Sequence, residues 1–221
     1  MIRRVYEQAV KCTELSDVIV ATDNKVIENH IRGFGGNVMM TSVNHSSGTE
    51  RCREVLESLA MVQKDLYDGV INIQGDEPFI DPLQIAEVAK CLKQPGVQIA
   101  TLIRKLVSKE DLSNPNIVKV VVDNQFRALY FSRAAIPYFR GKEISEWLHQ
   151  RTYFKHIGIY GYLAQVLIRI TELRASSLEQ AESLEQLRWI ENGYPVHVRE
   201  TEFDSIAIDT PADLLKITNT K

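Results

Sequence analysis

The chain has 221 residues, of which 44% are hydrophobic and 25% are charged, which is typical of a globular protein with a sizeable core. The formal net charge is −3, and acidic and basic residues are interspersed, so the chain lacks the basic stripe expected of a nucleic-acid-binding protein. No apolar run reaches membrane-spanning length. We therefore expect a cytoplasmic protein with neither a nucleic-acid partner nor a membrane insertion.

The three cysteines, Cys12, Cys52 and Cys91, are widely separated and form no C-x-x-C pair. An odd number with this spacing predicts neither a disulfide framework nor a thiolate zinc site. We interpret them as core residues of a protein in a reducing compartment.

The first half of the sequence alternates predicted helices and strands. Apolar residues at positions 2, 5, 6, 9 and 10 share one helical face, and later segments alternate in the same way. The predicted order is a helix over 2–10, a strand over 17–22, a helix over 26–34, a strand over 37–40, a helix over 48–62, a strand over 69–73 and a helix over 83–92. Such a pattern predicts an α/β fold with a mostly parallel sheet and helices on both faces, which binds ligands beyond the carboxyl ends of its strands.

The second half predicts an antiparallel hairpin over 117–122 and 127–131. A strand over 156–162 follows, in which period-two alternation places His156, Tyr160 and Tyr162 on one face. The remaining predicted elements are a helix from 163, a helix marked by leucines from 178 to 187, strands over 195–199 and 205–208, and a helix entered at Thr210-Pro211. We expect residues 1–221 to form one catalytic domain.

Two aspartates directly follow predicted strands. Asp76 follows the strand over 69–73, and Asp209 follows the strand over 205–208. Carboxylates at the carboxyl ends of strands could share a Mg²⁺ ion that carries substrate phosphates. Taken singly, each aspartate is better explained by a structural role, namely an Asx turn at Asp76 and a helix start at Asp209.

The segment from His45 to Arg51 enters a helix after a strand. Ser47, Gly48 and Thr49 offer hydroxyl and backbone donors to an anion, and Arg51 offers a guanidinium group. An ordinary helix cap at Ser47 or Thr49, with Arg51 on a solvated face, is the alternative interpretation. Likewise, His156, Tyr160, Glu185 and Gln186 could bind a polyhydroxylated ligand or could simply be packed residues.

Seven segments together resemble the 3-deoxy-manno-octulosonate cytidylyltransferase family. They are Gln74-Gly75-Asp76-Glu77-Pro78, His45-x-Ser47-Gly48-Thr49-Glu50-Arg51, Asn114-Pro115-Asn116-x-Val118-Lys119-Val120-Val121, Ala128-Leu129-Tyr130-Phe131-Ser132-Arg133, His156-x-Gly158-Ile159-Tyr160-Gly161-Tyr162, Leu184-Glu185-Gln186-Leu187-Arg188 and Ile208-Asp209-Thr210-Pro211. The resemblance extends over nearly the whole chain, and the order of the segments makes it specific.

The resemblance implies a Rossmann-like nucleotidyltransferase fold with a dimerisation arm at the antiparallel hairpin. It implies a homodimer that joins CMP from CTP to the acid sugar 3-deoxy-manno-octulosonate (Kdo) for lipopolysaccharide synthesis. Asp76 and Asp209 match the magnesium ligands and catalytic residues of the family. Ser47, Gly48, Thr49 and Arg51 match its nucleotide pocket, and Gln74, Arg133, His156, Tyr160, Glu185 and Gln186 match its acid-sugar pocket.

The sequence departs from the family at its start. Family members begin with a strand and a basic loop that carries Ile-Pro-Ala-Arg and Gly-Lys-Pro, whereas Met1-Ile2 aligns just after that loop. We therefore expect residues 1–221 alone to be inactive and poorly stable. Two other functions remain open, namely a cytidylyltransferase for another acid sugar such as a sialic acid, and a non-catalytic dimeric binding protein.

Overall fold

The computed structural model describes residues 1–62 and 67–204, whose strands form two sheets. The smaller sheet is the parallel pair β1 and β2, and the larger contains six strands in which β7 is central. The strands are β1 (Val20–Thr22), β2 (Val38–Met40), β3 (Gly69–Asn72), β4 (Ile99–Lys105), β5 (Lys119–Val122), β6 (Ala128–Ser132), β7 (Phe154–Leu163) and β8 (Val196–Glu200).

Helices surround both sheets. They are α1 (Ile2–Val10), α2 (Lys25–Gly33), α3 (Gly48–Ala60), α4 (Pro82–Leu92), α5 (Lys109–Ser113), α6 (Trp147–Gln150), α7 (Ala164–Thr171), α8 (Ser177–Glu182) and α9 (Glu185–Glu191), with a short 3-10 helix at Ile144–Glu146. No described helix combines the length and the apolar character needed to cross a bilayer.

Strand direction in the larger sheet confirms the predicted fold class. β7 is antiparallel to β3, β4 and β5, while β4 and β8 are parallel. β3, β4, β5 and β8 therefore run in one direction, and β6 and β7 run in the other. The predicted hairpin is the antiparallel pair β5 and β6. Four of the six strands therefore share one direction, with the antiparallel β7 at the centre, and β4 with β8 is the parallel pair among the described residues of this sheet.

Helix starts follow the capping residues in the sequence. The Asn24 side chain accepts a hydrogen bond from the Val26 amide at 2.8 Å, and the Ser47 hydroxyl accepts one from the Glu50 amide at 3.3 Å. Asp81 forms a capping box with Gln84 ahead of Pro82. These side chains satisfy amides that a helix leaves unpaired in its first turn, so the predicted starts of α2, α3 and α4 lie within one residue of the observed ones.

Two predictions for the fold were incomplete or wrong. β4, which lies between β7 and β8, was not predicted at all. The single helix predicted through residues 178–187 is two helices, because Ser183 adopts a left-handed conformation with φ 52° and separates α8 from α9. The strand predicted over 205–208 and the helix after Thr210 lie outside the described residues.

A hydrophobic cluster covers each face of the larger sheet. One contains Tyr160, Tyr162 and residues of α3, α7 and α9, and the other contains Ile157, Ile159 and residues of α1 and α4. This confirms the predicted alternation along β7 and the helices on both faces. Cys12 and Cys91 are buried in the second cluster, and Cys52 packs against the first, where burial raises the pKa of its thiol to about 12.

Candidate active site

A cavity of about 980 Å³ lies between β1 and β3. Residues 18–21 line one wall, residues 69–75 line the other, and α1 and α3 contribute apolar side chains that include Val5, Ala9 and Leu59. Polar residues gather where the strands end, namely His45, Ser47, Arg51, Asn72 and Gln74. The cavity is large enough for a nucleotide-sized ligand, and its polar end coincides with the carboxyl ends of the strands.

The start of α3 lies against the end of β3. Gly48 permits this approach, because a Cβ atom at this position would lie 3.2 Å from the Nδ2 atom of Asn72 and 3.6 Å from the Nε2 atom of Gln74. Ser47 and Gly48, predicted to bind nucleotide, thus lie beside Gln74, predicted to bind sugar. Asn72 was not predicted, although its place at the end of a strand was a usable signal.

Arg51 connects α3 to the ends of β1 and β2. Its Nη2 atom donates to the Oδ2 atom of Asp23 at 2.9 Å, and its Nη1 atom donates to the Oγ1 atom of Thr41 at 2.5 Å. Nη1 also donates to the Ser42 carbonyl at 3.3 Å. The alternative of a solvated Arg51 is therefore wrong. Asp23, which was not among the predicted site residues, orients the guanidinium group beside the cavity.

Two glutamates on α3 hold the loop that precedes it. Glu54 accepts a hydrogen bond from the Ser42 amide at 2.8 Å and contacts the Nε2 atom of His45, while Glu50 accepts one from the Ser46 amide at 2.7 Å. The Ser42 amide and then His45 lower the pKa of Glu54. The loop along the polar end of the cavity is therefore held in place by the helix that it enters.

Glu185 joins the predicted nucleotide and sugar segments. Its carboxylate accepts hydrogen bonds from the Ser47 hydroxyl at 3.0 Å and from the Thr49 hydroxyl at 2.7 Å. Burial raises the pKa of Glu185 even though both hydroxyls stabilise its charged form. Ser47 also caps α3, so its hydroxyl both accepts from the Glu50 amide and donates to Glu185.

An aromatic group lies next to Glu185 on the same face of the sheet. The Trp189 ring packs edge-on against Tyr160 and Tyr162, with ring centroids 5.0 and 5.4 Å away. Both tyrosine hydroxyls are buried, and neither has a hydrogen-bond partner within the described residues. Burial raises the pKa of each tyrosine well above its ordinary value, and the charge of Glu185 adds to this effect.

His156 packs against the outer end of this aromatic group. Its ring lies 5.1 Å from Tyr160 and 5.2 Å from Phe131, and its Nε2 atom is 2.9 Å from the Thr101 hydroxyl. Burial lowers the pKa of His156 to about 3. The imidazole is therefore neutral at physiological pH and can exchange hydrogen bonds with neutral hydroxyl groups.

Arg133 and Gln186 lie on the same side of the molecule as Glu185. Gln186 is buried on α9. The Arg133 guanidinium donates to three main-chain carbonyls, those of Glu182 at 2.7 Å, Pro115 at 3.1 Å and Ser183 at 3.3 Å. In this conformation Arg133 holds together the segments around the predicted sugar pocket.

The predicted metal ligands are described only in part. Asp76 is partly exposed in the turn after β3, two residues beyond Gln74, whereas Asp209 lies outside the described residues. Residues 1–62 and 67–204 contain no group of three or more His, Cys, Asp or Glu residues that could hold a metal ion. The prediction that these two aspartates share a metal therefore remains a prediction.

Comparison with known proteins identifies the family. Residues 1–203 match the cytidylyltransferase family model. The chain is 51% identical over 220 residues to the 3-deoxy-manno-octulosonate cytidylyltransferase of Parabacteroides distasonis, which covers 98% of this chain and 85% of that protein. The chain belongs to the 3-deoxy-manno-octulosonate cytidylyltransferase family.

Further comparisons agree with this membership. The 3-deoxy-manno-octulosonate cytidylyltransferase of Cytophaga hutchinsonii is 48% identical over 221 residues, which is 100% of this chain and 86% of that protein. A solved CMP:2-keto-3-deoxy-manno-octonic acid synthetase in complex with CTP superimposes with a TM-score of 0.88 at 38% identity, over 99% of this chain and 86% of that chain. The predicted nucleotidyltransferase fold and enzyme class are thereby confirmed.

Proposed function

We propose that this cytidylyltransferase joins CMP from CTP to the anomeric hydroxyl of Kdo and releases pyrophosphate, supplying CMP-Kdo for lipopolysaccharide synthesis. The structural observation that carries the proposal is the bridge from Glu185 to Ser47 and Thr49. It joins, across more than 130 residues of sequence, the segment that resembles a nucleotide pocket to the segment that resembles a sugar pocket. Adjacent sites for two substrates are the first requirement of a transfer reaction, because proximity replaces a bimolecular encounter.

The nucleotide lies, in this proposal, at the polar end of the cavity. Ser47 and Gly48 line the cavity at the start of a 13-residue helix, where backbone amides and the helix dipole favour negative charge, and the buried Thr49 hydroxyl ties this helix start to Glu185. Arg51 supplies a guanidinium group that Asp23 and Thr41 hold in a fixed orientation. Fixed donors of this kind stabilise the charge that develops on a phosphoryl group without having to reorient.

The sugar lies, in this proposal, between Gln74 and the aromatic group. Neutral His156, the hydroxyl of Tyr160, the Glu185 carboxylate and the Gln186 amide offer both donors and acceptors, which suits a ligand with several hydroxyls. Arg133 shapes the edge of this pocket and is the cation that we place nearest to the sugar carboxylate. A pocket of this composition favours a polyhydroxylated acid over a purely apolar ligand.

Mg²⁺ fits the chemistry of the site. Asp76 lies at the edge of the sheet beside cavity residues Gln74 and Gly75, and Mg²⁺ is commonly bound by one or two carboxylates together with substrate phosphates. We propose Asp76 and Asp209 as its ligands and as the catalytic residues. When bound, the ion would bring the sugar oxygen and the α-phosphate together and neutralise developing charge. The protein's other residues bind and orient the two substrates.

The working unit that we propose is a homodimer of single-domain subunits in the cytoplasm. The β5–β6 hairpin exposes apolar side chains, with Phe126 52% exposed and Leu129 55% exposed. Exposed apolar groups on a hairpin arm are typical of a protein contact. The arm is therefore the dimer contact in this proposal.

The test is pyrophosphate release by the full-length protein from CTP and Mg²⁺ with either Kdo or a sialic acid. We expect release with Kdo alone. Release only with the sialic acid would replace the proposed substrate, and binding of CTP with no release for either sugar would favour the non-catalytic alternative. The Asp76→Asn variant is the control, because it keeps the fold and removes a proposed metal ligand.

A further inference from the structure

A buried lysine lies behind the predicted sugar pocket. Lys119 is the first residue of β5, and its side chain is fully buried. Its ammonium group donates to the carbonyls of Asn114 at 2.8 Å, Ile117 at 2.6 Å and Arg133 at 2.6 Å. An ammonium group has three donors, so all three are used on main-chain carbonyls of two different segments.

Burying this charge is unfavourable in itself. Burial lowers the pKa of Lys119, although the negative charge of Glu182 acts in the opposite direction. An apolar residue of similar size would fill the space without this desolvation penalty. What an apolar residue could not do is hold the three carbonyls together, and this geometric role explains a charged residue here.

The Arg133 carbonyl, which accepts from Lys119, connects this lysine to a residue of the predicted sugar pocket. Arg133 and Glu182 are linked in both directions, because the Glu182 carboxylate accepts from the Arg133 amide at 2.9 Å and the Arg133 Nε atom donates to the Glu182 carbonyl at 2.7 Å. The Ser132 hydroxyl also donates to this carboxylate, at 2.6 Å. The end of β6 is thereby fixed to the end of α8.

The end of α8 in turn places Glu185. Ser183 is in the left-handed region and its carbonyl accepts from Arg133 at 3.3 Å, and α9 begins two residues later at Glu185. The Ser183 amide still donates to the Glu179 carbonyl at the end of α8, and the contacts of Arg133 to residues 182 and 183 hold the chain where it turns from α8 into α9. Contacts therefore run from Lys119 through Arg133 to the first residue of α9.

We propose that Lys119 is a positioning residue for the acid-sugar pocket, acting through Arg133 and the corner at Glu182 and Ser183 to place Glu185 and Gln186. This inference rests on the proposed function for the identity of the sugar alone. The corner itself is independent of the substrate. Removing the ammonium group should shift α9 and weaken use of the sugar more than use of CTP.

The experiment compares Lys119→Met with Lys109→Met, a matched change at an exposed lysine, in the full-length protein. For Lys119→Met we expect a rise in KM for Kdo of roughly tenfold or more, since a displacement of about 1 Å in a site can reduce rates a hundredfold. KM for CTP should rise by much less than KM for Kdo, because the displacement reaches Ser47 and Thr49 only through Glu185. Amide hydrogen exchange should accelerate in residues 184–188, and Lys109→Met should change none of these quantities.

A double variant tests whether Lys119 acts on α9 through Arg133. Because part of the connection from Lys119 runs through the Arg133 side chain and part through its main-chain amide, Lys119→Met and Arg133→Met should raise KM for Kdo less than additively in free energy when combined. If Lys119→Met does not fold, Glu182→Gln disturbs the same corner and should accelerate the same amides. Wild-type values of KM and of amide hydrogen exchange in Lys119→Met would overturn the proposal. Equal rises in KM for Kdo and for CTP, together with faster amide exchange throughout the chain, would also overturn it. If wild type releases no pyrophosphate with Kdo, the proposed function fails, while the exchange measurement still decides the role of Lys119.

Discussion

The two sheets of this enzyme differ in how completely their strands are paired. In the larger sheet, β7 has β4 along one edge and both β5 and β3 along the other, with hydrophobic clusters on both faces. In the smaller sheet, β1 pairs only with β2 among the described residues, and its other side faces the cavity. The larger sheet thus supplies rigidity. The cavity lies at the boundary between the two sheets, and polar residues of the candidate site line it there.

If the boundary is the catalytic centre, the largest effect should come from Asp76. We expect Asp76→Asn to lower the rate of CMP-Kdo formation by roughly a hundredfold or more, because removing one preorganised electrostatic group commonly has this effect. Asp209→Asn should behave in the same way. Pyrophosphate release measures the rate, and circular dichroism checks the fold. Asp111→Asn on α5 is the control, and near-normal turnover in Asp76→Asn would remove this residue from the catalytic site.

A matched pair of leucines measures the packing difference directly. Leu187 is fully buried in the cluster around Trp189, whereas Leu59 lines the cavity. We expect Leu187→Ala to lower the free energy of unfolding by about 2–5 kcal/mol. Leu59→Ala should lower it by less than about 1 kcal/mol, because its side chain already faces open space. Urea denaturation measures both, and equal losses would show that the two regions are packed alike.

The effects of a variant on Kdo and on CTP distinguish a residue of the sugar pocket alone from a residue that also contacts the nucleotide segment. His156→Ala should raise KM for Kdo about tenfold, the effect of losing about 1.4 kcal/mol of binding, and leave CTP affinity unchanged. If Glu185 contacted the sugar alone, as its match to the family's acid-sugar pocket implies, Glu185→Ala would behave in the same way. Its hydrogen bonds to Ser47 and Thr49 now predict weaker binding of both ligands. Calorimetric titration with each ligand distinguishes the two variants, and an unchanged CTP affinity in Glu185→Ala would restore the first expectation.

Burial of His156 should also make stability depend on pH. His156 has a pKa of about 3 in the folded protein against 6.5 when unperturbed, so the unfolded chain takes up a proton that the folded chain does not. The free energy of unfolding should therefore fall as the pH falls from about 6.5 towards 3, and this residue should add no dependence above that range. His156→Gln should reduce the slope between pH 7 and pH 5 in urea titrations. His30→Gln, at an exposed position, should keep it.

The fold was predictable where local chemistry decides it. Helix starts could be located from the capping residues Asn24, Ser47 and Asp81. The alternation of side chains along β7 indicates which residues lie on each of its two faces. β4 was missed because Thr101 and Arg104 interrupt its apolar pattern; Thr101 is nevertheless buried and donates to the Ile159 carbonyl at 2.7 Å. The break at Ser183 was missed because leucine spacing continues across it, and contacts with Arg133 form only in the folded chain.

The candidate site was predictable as a set of residues, but its internal contacts were not. The resemblance names Thr49 and Glu185 separately, and nothing in their spacing indicates that they touch. The sequence identified Arg51 as a cation but did not indicate that Asp23 and Thr41 orient it. The resemblance names Arg133 as a residue of the sugar pocket but does not indicate that its donors hold three main-chain carbonyls. Partners this far apart in sequence depend on tertiary structure, which short motifs do not specify.

The central position of β7 also affects how the chain can fold as it is synthesised. β3 and β4 are made early, but the strand that lies between them ends only at residue 163. Until then the edges of both strands remain unpaired, and unpaired edges are where nascent chains associate wrongly. Pairing between residues 49 to 94 positions apart, from Lys105 with Phe154 to Gly69 with Leu163, is also slow compared with helix formation. Release of the nascent chain from the ribosome before β7 has docked should therefore be the step at which this enzyme most needs a chaperone.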